Sequence, residues 1–365
     1  MEEKVSTKAL NSIIIGIGLS AGVVTGAETP STPRSASSRV QEHPATTATI
    51  QEFAIPTAQS QPYFIDLDAN GTVWFAEKGA SKIGRFNPVS NTFTEFLLSK
   101  TTNPTEVICS VDRAIVYFLG GPSGNAHYGW IVPSTGAVYE FRTGLPSSSA
   151  TTGALDPAGN FWFNGWDSQS LVERTRSGQV LTYALPYFGY SDGLTRDPQG
   201  NIWLTIVTGS EYNPTLLQFN PALGVPGTSN GFTVVPMPAS QACIRRPSAA
   251  LGRIWFPNEG DCGPGVHTTA AIESYEPSTG QWAQYLPPTP DAAPGYPVAD
   301  RWGRIWFAEG LANQIGMLDL QTGTITEFPV PTANSNPAGI AVDVGRDIVW
   351  FSEFQGNKIG KLTLR

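Results

Sequence analysis

The side chains in this sequence best suited to electrostatic chemistry are two adjacent arginines, Arg245 and Arg246, which precede Pro247 in a segment with little other charge. Such a pair could hold a carboxylate, a phenolate or a developing enolate, because each guanidinium group offers several fixed N–H donors. An ion pair with Glu259 or Asp261 explains the same arginines without any ligand. Both interpretations remain open from the sequence.

Nucleophilic and transition-metal chemistry find little support. The sequence has no Gly-x-Ser-x-Gly segment, and its three histidines and three cysteines are scattered rather than clustered. One apparent calcium motif runs from Asp66 to Glu77, but its turn recurs elsewhere without the other ligands, so we interpret it as a β-turn. We therefore predict no metal site.

The composition favours a β-rich globular fold and argues against nucleic-acid binding. Of 365 residues, 40% are apolar and 14% are charged, and 38 glycines and 30 prolines accompany evenly spread Trp and Phe. This combination is typical of many short strands joined by tight turns. The formal net charge is −8 and no basic cluster is present, so we expect no nucleic-acid partner.

The first 46 residues differ from the rest of the chain. An apolar run over residues 10–24 follows Lys4 and Lys8 and precedes small residues, which predicts a signal peptide over 1–27 with cleavage near Ala27; a retained anchor is the alternative. Residues 28–46 are rich in Ser, Thr and Pro and read as a flexible leader. We expect a monomer, secreted or in the secretory-pathway lumen, with no membrane association in its mature form.

Two covalent modifications fit export. Cys243 and Cys262 flank one predicted hairpin and should lie in loops on the same face, so we predict a disulfide between them. Cys109 lies in an apolar strand and is expected to be a buried small hydrophobe. Asn70 begins an Asn-Gly-Thr sequon in a predicted turn, which makes it a glycosylation site in a eukaryotic host.

An aromatic pair recurs through the chain about every 45 residues and marks an internal repeat. Each copy follows an apolar strand and, in most units, an Asp/Gly turn, and two further strand segments follow it in all units but the last. The seven copies are Trp74-Phe75, Tyr117-Phe118, Trp162-Phe163, Trp203-Leu204, Trp255-Phe256, Trp306-Phe307 and Trp350-Phe351.

Four short antiparallel strands per repeat is the signature of a propeller blade. The ends of the repeated region add a second argument, because residues 49–58 match residues 324–333, which form a fourth strand, while the last unit ends after its third strand. We predict that residues 47–365 form an all-β, seven-bladed β-propeller, closed by an N-terminal strand that completes the last blade.

The repeat, with its Val-Trp-Phe-Ala-Glu and Lys-Ile-Gly-Arg segments at 73–77 and 82–85, resembles that of the virginiamycin B lyase (streptogramin B lyase) family. The resemblance implies a magnesium-assisted elimination that uses His residues directly after the Pro opening the first strand of late blades. Here Gly295 and Ala338 stand at those positions, and Asn336 stands where an acid is expected. Only Glu353 is available as the last-blade acid. We therefore expect this chain not to perform the family's streptogramin cleavage.

Loops that begin each blade, and loops between second and third strands, crowd one face of a propeller, where we predict a pocket for a small hydrophobic natural product. The predicted catalytic residues are Arg245, Arg246, Tyr190, Asp192 and Glu353. The predicted substrate-binding residues are Tyr63, Trp166, Tyr187, Phe188, Tyr212, His267, Tyr296 and Phe354.

Several of these residues have simpler explanations. Glu77, Glu309 and Glu353 occupy equivalent blade positions and could instead bond backbone amides. The loop containing Phe188 could simply cover the barrel, and His267 could be a solvent-exposed loop histidine.

The functional prediction is a lyase-like propeller that turns over its ligand without a metal ion or other cofactor, by lyase or cyclisation chemistry. A looser resemblance to fungal propeller hetero-Diels–Alderases of secondary-metabolite biosynthesis suggests an intermolecular hetero-Diels–Alder cycloaddition. The alternatives are a non-catalytic binding or scaffold propeller, and a streptogramin B lyase that requires magnesium.

Overall fold

The computed structural model describes residues 47–110, 115–122, 124–145, 150–166, 169–208, 213–238, 244–263, 266–267 and 269–364. The predicted signal peptide and leader, Tyr212, Cys243, and the side chains of Cys262 and His267 lie outside the described residues. The signal, disulfide and leader therefore stay predictions. Within the described ranges, no helix is long and apolar enough to cross a membrane.

Seven four-stranded antiparallel sheets make up the described fold, in agreement with the predicted seven blades. Blade 7 contains the first described strand, β1 (Ala48–Ala54). Blades 1 to 3 are formed by β2 (Pro62–Leu67), β3 (Val73–Glu77), β4 (Lys82–Asn87), β5 (Thr92–Leu97); β6 (Pro104–Cys109), β7 (Val116–Gly120), β8 (His127–Val132), β9 (Ala137–Arg142); and β10 (Ala150–Leu155), β11 (Phe161–Gly165), β12 (Ser170–Arg174), β13 (Val180–Ala184).

The remaining blades follow the same order, with one insertion. Blade 4 contains β14 (Tyr190–Arg196), β15 (Ile202–Thr208), β16 (Asn213–Phe219) and β17 (Phe232–Val235), with a 3₁₀ turn at Pro221–Leu223. Blade 5 contains β18 (Ser248–Ala250), β19 (Arg253–Asn258), β22 (Ala271–Glu276) and β23 (Gln281–Tyr285), and carries the inserted hairpin β20 (Asp261–Gly263) and β21 (Val266–His267). Blades 6 and 7 are formed by β24 (Val298–Ala299), β25 (Arg304–Glu309), β26 (Gln314–Asp319), β27 (Thr324–Pro329); and β28 (Pro337–Asp343), β29 (Ile348–Glu353), β30 (Lys358–Leu364).

The ring closes as predicted, because β1 is the outer strand of blade 7. It pairs antiparallel with β30 over seven residues, from Ala48 opposite Leu364 to Ala54 opposite Lys358. The Lys358 ammonium lies 3.0 Å from the Glu52 carboxylate, and the Phe53 ring lies 4.6 Å from the Phe86 ring of blade 1. The first described strand therefore joins the two ends of the ring and covers an edge that would otherwise be unpaired.

The aromatic pairs lie on the second strand of every blade and are buried. The first member of each pair packs into the neighbouring blade. Trp350 of blade 7, for example, lies in a cluster with Ile65 and Phe75 of blade 1, and Trp74 of blade 1 lies with Val107 of blade 2. The repeated tryptophan thus forms the contact between blades rather than the centre of its own sheet.

The Asp/Gly turn positions that tryptophan. Asp197 accepts hydrogen bonds from the Asn201 backbone N–H and from the Trp203 indole Nε1, at 2.8 Å each. Its turn ends on Gly200, whose φ of 94° suits glycine. Equivalent indole-to-carboxylate bonds occur in blades 1, 3 and 6. In these four blades, the Asp six residues before the Trp therefore satisfies a buried donor.

Three glutamates at the ends of second strands are fully buried, and none of them forms an ion pair within the described residues, since the nearest lysines, Lys82 and Lys358, pair with Glu95 and Glu52. Among the described residues, neither carboxyl oxygen of Glu77, Glu309 or Glu353 accepts a hydrogen bond, so the expected backbone amide bonds are not observed. Burial raises the pKa of Glu77 and Glu309 to about 8 and that of Glu353 to about 7. A second glutamate near each carboxyl, such as Glu95 near Glu77, raises the pKa further.

These three carboxyls predict that the fold loses stability on the alkaline side. The pKa of each carboxyl in the folded state exceeds the ordinary value of 4.5. Their stabilising contribution to the free energy of unfolding is therefore complete below pH 4.5 and is lost as pH rises through 7 to 8. Replacing Glu77, Glu309 and Glu353 by Gln should reduce the fall in Tm between pH 5.5 and 8.5 by roughly 5 °C, measured by thermal unfolding.

The matched control for this experiment is Glu140→Gln. Hydrogen bonds from Ser99 and from neighbouring backbone amides outweigh partial burial and lower the pKa of Glu140 to about 2. Its stabilising contribution is present above the unfolded value and is lost only in acid, so the variant should keep the wild-type alkaline slope. A triple variant with an unchanged alkaline slope would contradict this account.

Candidate functional site

A pocket of about 630 Å³ opens on the face where first strands begin and second strands end. Blades 1 to 7 all contribute residues to its wall or floor. The lining residues that can bind or polarise a ligand are Tyr63, Phe64, Lys78, Trp166, Asp192, Arg245, Arg246, Glu259, Tyr296 and Asn336. Aromatic rings and a small set of charged groups thus meet in one concave site.

Four aromatic rings form a continuous series, which we call the aromatic ladder: Phe354, Tyr63, Phe64 and Tyr296, of which the last three line the pocket. Neighbouring ring centroids are 5.9, 4.7 and 6.0 Å apart, all with edge-to-face geometry. This geometry places positive ring edges against negative ring faces and fixes the rings relative to one another. The ladder is therefore a rigid apolar surface for a ligand.

Arg246 lies between the last two rings of the ladder. Its guanidinium carbon is 4.1 Å from the Phe64 ring centroid and 4.4 Å from that of Tyr296, and Nη1 lies 2.5 Å from Glu106 Oε2. Burial raises the pKa of Glu106 to about 7, and the guanidinium opposes that shift. Gly193 makes room for Arg246, since a Cβ there would lie 2.7 Å from Arg246 Cγ.

Arg245 points to a different pair of acids. Its Nε donates to Glu259 Oε2 at 3.0 Å, and Nη1 lies 3.4 Å from Asp192 Oδ2. Burial raises the pKa of Asp192 to about 6, although Arg245 favours the ionised form. A pocket carboxyl with a pKa near 6 can both accept and release a proton near neutral pH. The ion pair with Glu259 that the sequence offered as an alternative is present.

A second chamber of about 390 Å³ is lined mainly by the first strands of the blades, among them β2, β6 and β14. Phe64, Arg246 and Tyr296 line both chambers. Glu106 and Asp66 line only the second chamber, and Asp66 accepts a 2.8 Å hydrogen bond from the Cys109 backbone N–H. Arg246 and the two rings that it contacts, Phe64 and Tyr296, therefore form the floor of the first pocket.

The structure brings some of the sequence-predicted residues together in this pocket and leaves others outside it. Those that line it are Tyr63, Trp166, Asp192, Arg245, Arg246 and Tyr296. Phe354 and Tyr190 do not line it but each contacts a residue that does: the Phe354 ring centroid lies 5.9 Å from that of Tyr63, and the half-exposed Tyr190 ring lies 5.8 Å from that of Trp166. Phe188 is 82% exposed and Tyr187 also faces solvent, so both are at the surface near β14.

Three predicted residues cannot be assigned to the pocket. The Glu353 carboxyl is buried beside Ser335 and Gly356 and does not line it. His267 pairs through its backbone with Asp261 in the inserted hairpin, and its side chain lies outside the described residues. Tyr212 lies outside them entirely.

Three residues of the pocket and the second chamber were missed by sequence reasoning. Lys78 follows the repeated Glu at the end of β3, Phe64 adjoins the predicted Tyr63, and Glu106 lies in the strand that holds Cys109. The position of Lys78 in a loop between second and third strands was a usable signal. Glu106 offered none, because its partner Arg246 is distant in the chain.

The residues present do not fit the magnesium ion that the family resemblance implies. Gly295 and Ala338 line the pocket at the positions where histidines are expected, so neither supplies a side-chain ligand. Asp192, Glu259 and Glu106 are each paired with an arginine, whereas Mg²⁺ requires oxygen ligands in near-octahedral arrangement. Among the described residues, no group of three or more His, Cys, Asp or Glu side chains could hold a metal.

The seven blades, the N-terminal closing strand and this pocket define a streptogramin B lyase-like β-propeller. Residues 265–365 match the model of the virginiamycin B lyase family. A streptogramin B lyase structure is similar over 87% of this chain and 98% of its own, at 25% identity and a TM-score of 0.74.

Further structures agree on the fold. A virginiamycin B lyase from Staphylococcus aureus, in selenomethionine form, is 24% identical with a TM-score of 0.74, over 87% of this chain and all (100%) of its own. A catalytically inactive variant of the S. aureus enzyme with quinupristin is 25% identical, covers the same shares, and has a TM-score of 0.73. No curated protein sequence matches the chain.

Proposed function

We propose that this chain is an enzyme that binds a hydrophobic natural product in the aromatic pocket and catalyses a lyase or cyclisation reaction without a metal ion. An intermolecular hetero-Diels–Alder cycloaddition in secondary-metabolite biosynthesis is the specific reaction we favour. The protein would act as a monomer in the secretory pathway, where the segment 1–27 would direct it, with Asn70 exposed for glycosylation.

The single observation that supports this most strongly is Arg246, fixed between two aromatic rings at the floor of the pocket. Developing negative charge on a carbonyl or quinone oxygen is stabilised by a preorganised cation, which needs no reorganisation during the reaction. The ladder would hold a flat reactant by stacking and exclude water from it. Cycloaddition then requires mainly that two partners be held together in the correct orientation.

Asp192 supplies a proton acceptor for the lyase version of this chemistry. With its pKa raised to about 6 by burial, its ionised carboxylate could remove a proton next to a carbonyl group. The electron pair left behind would form an enolate, whose oxygen a pocket arginine would stabilise, and a leaving group would depart from the adjacent carbon. Arg245 would keep Asp192 in position through the 3.4 Å contact.

The proposal is tested by incubating the purified protein with a quinone methide precursor and a polyene, and by following rate and product stereochemistry. We expect acceleration and a single stereoisomer, with both lost in Arg246→Ala and the rate reduced in Arg245→Ala. Rate and stereochemistry equal to those in buffer, over a panel of polyketide and terpene partners, would count against an enzymatic role.

A non-catalytic binding propeller is the second candidate, and one observation favours it. Gly295 and Ala338 line the pocket where the family resemblance implies catalytic histidines, which is also expected of an abandoned active site. Ligand binding without turnover in the same panel would support it. The remaining alternative, a magnesium-dependent streptogramin B lyase, is tested by incubating the protein with quinupristin with and without a chelator. This alternative requires that quinupristin is cleaved and that the chelator abolishes cleavage.

A further inference from the structure

Lys78 is a cation of the pocket that has no acidic partner among the described residues. Its ammonium nitrogen lies 4.8 Å from the Tyr63 ring centroid and 6.0 Å from that of Phe354, at the outer end of the aromatic ladder. No carboxylate lies within ion-pair distance of it among the described residues, whereas Arg245 has two such partners and Arg246 has one. Within the described part of the chain, Lys78 is thus the pocket cation whose charge is left for a ligand.

The local backbone fixes where this ammonium group lies. The Lys78 N–H donates to the Gln61 carbonyl at 3.2 Å, and the Gly79 N–H donates to the Ser60 carbonyl at 2.8 Å. A Cβ on Gly79 would lie 2.5 Å from the Gln59 carbonyl oxygen, so glycine permits this close approach. The turn that carries Lys78 is therefore anchored to the loop that leads into Tyr63.

A ligand that satisfies this end of the pocket needs two parts. Its apolar body would stack on the aromatic ladder, and an acidic group on that body would reach the ammonium at the rim. A cation held over rings also keeps its hydrogen-bond donors free for an anion. We propose that the pocket selects acidic, largely aromatic or polyunsaturated molecules, and that Lys78 binds their anionic group. This inference rests on the proposed function and names the substrate class of the same site.

The test uses two fluorescent probes with the same anilinonaphthalene body. One, 8-anilinonaphthalene-1-sulfonate, carries an anionic group, and the other, N-phenyl-1-naphthylamine, has none. The wild-type protein should bind the sulfonate about tenfold more tightly, as expected for one hydrogen-bonded charge contact, and added NaCl should reduce only that preference. Lys78→Met should abolish the preference with little change for the neutral probe, and Lys78→Arg should retain most of it.

Lys361→Met is the matched control, because Lys361 also lies over an aromatic ring, 5.9 Å from Trp350, but does not line the pocket. This variant should bind both probes as the wild type does. The inference is overturned if the sulfonate preference persists in Lys78→Met or is absent from the wild type. If the neutral probe still binds in that case, the proposed function stands. If neither probe binds, the pocket is not a binding site and the proposed function fails as well.

Discussion

Replacing Arg246 with Met should abolish turnover and lower the free energy of unfolding by about 3–5 kcal/mol, because it leaves the buried Glu106 carboxyl without its cation. Burial alone would then drive the Glu106 pKa upward and the carboxyl would become protonated near neutral pH. Unfolding in guanidinium chloride measures the change in the free energy of unfolding. Product formation from the quinone methide and polyene pair measures the loss of turnover.

Two companion variants separate stability from function at this position. The double variant Arg246→Met with Glu106→Gln removes both charges, so it should recover most of the lost stability and none of the activity. Arg246→Lys keeps the charge but not the planar group that fits between Phe64 and Tyr296, so its activity should stay well below wild type. Full activity in the double variant would show that Arg246 serves only to neutralise Glu106.

Removal of the closing strand should have the largest effect on stability of any terminal change. A chain that starts at Pro56 lacks all of β1 and leaves β30 unpaired at the edge of blade 7. It also loses the Phe53 contact with blade 1 and the hydrogen bond from the Thr332 N–H to Glu52. We expect Tm to fall by roughly 20 °C or cooperative unfolding to disappear, as measured by calorimetry.

The control for this truncation is a chain that starts at Thr47, which lacks only the predicted signal and leader. It should unfold at the wild-type temperature, because every described contact of β1 is kept. A chain starting at Pro56 that unfolds as cooperatively as this control would mean that blade 7 is stable with three strands.

The fold could be predicted from the sequence because its signals are local and repeated. In four blades the aromatic pair and the Asp six residues before it lie within one turn and one strand, so these copies report the same geometry. The closing strand was predictable for the same reason, since residues 49–58 repeat the pattern of a fourth strand.

The site was less predictable because its contacts join distant parts of the chain. Arg245 and Arg246 were identified by type, but only the closed ring brings Glu106 of blade 2 to Arg246, which precedes blade 5. The repeated glutamates had the opposite problem: their equivalence was visible, but their burial at the ends of second strands was not. Glu353 therefore reads from sequence as a pocket acid, although the structure buries it away from the pocket.

The packing of each blade's tryptophan into the following blade limits how the number of blades can change during evolution. A duplicated or exchanged blade would bring its own tryptophan, but that side chain would pack against a blade whose surface fits a different neighbour. Loss of a blade would likewise bring two blades together that do not fit each other. Such rearrangements must therefore alter two adjoining interfaces at once. The number of blades should consequently be far harder to vary than the loops around the pocket, where new chemistry can be gained without disturbing the ring.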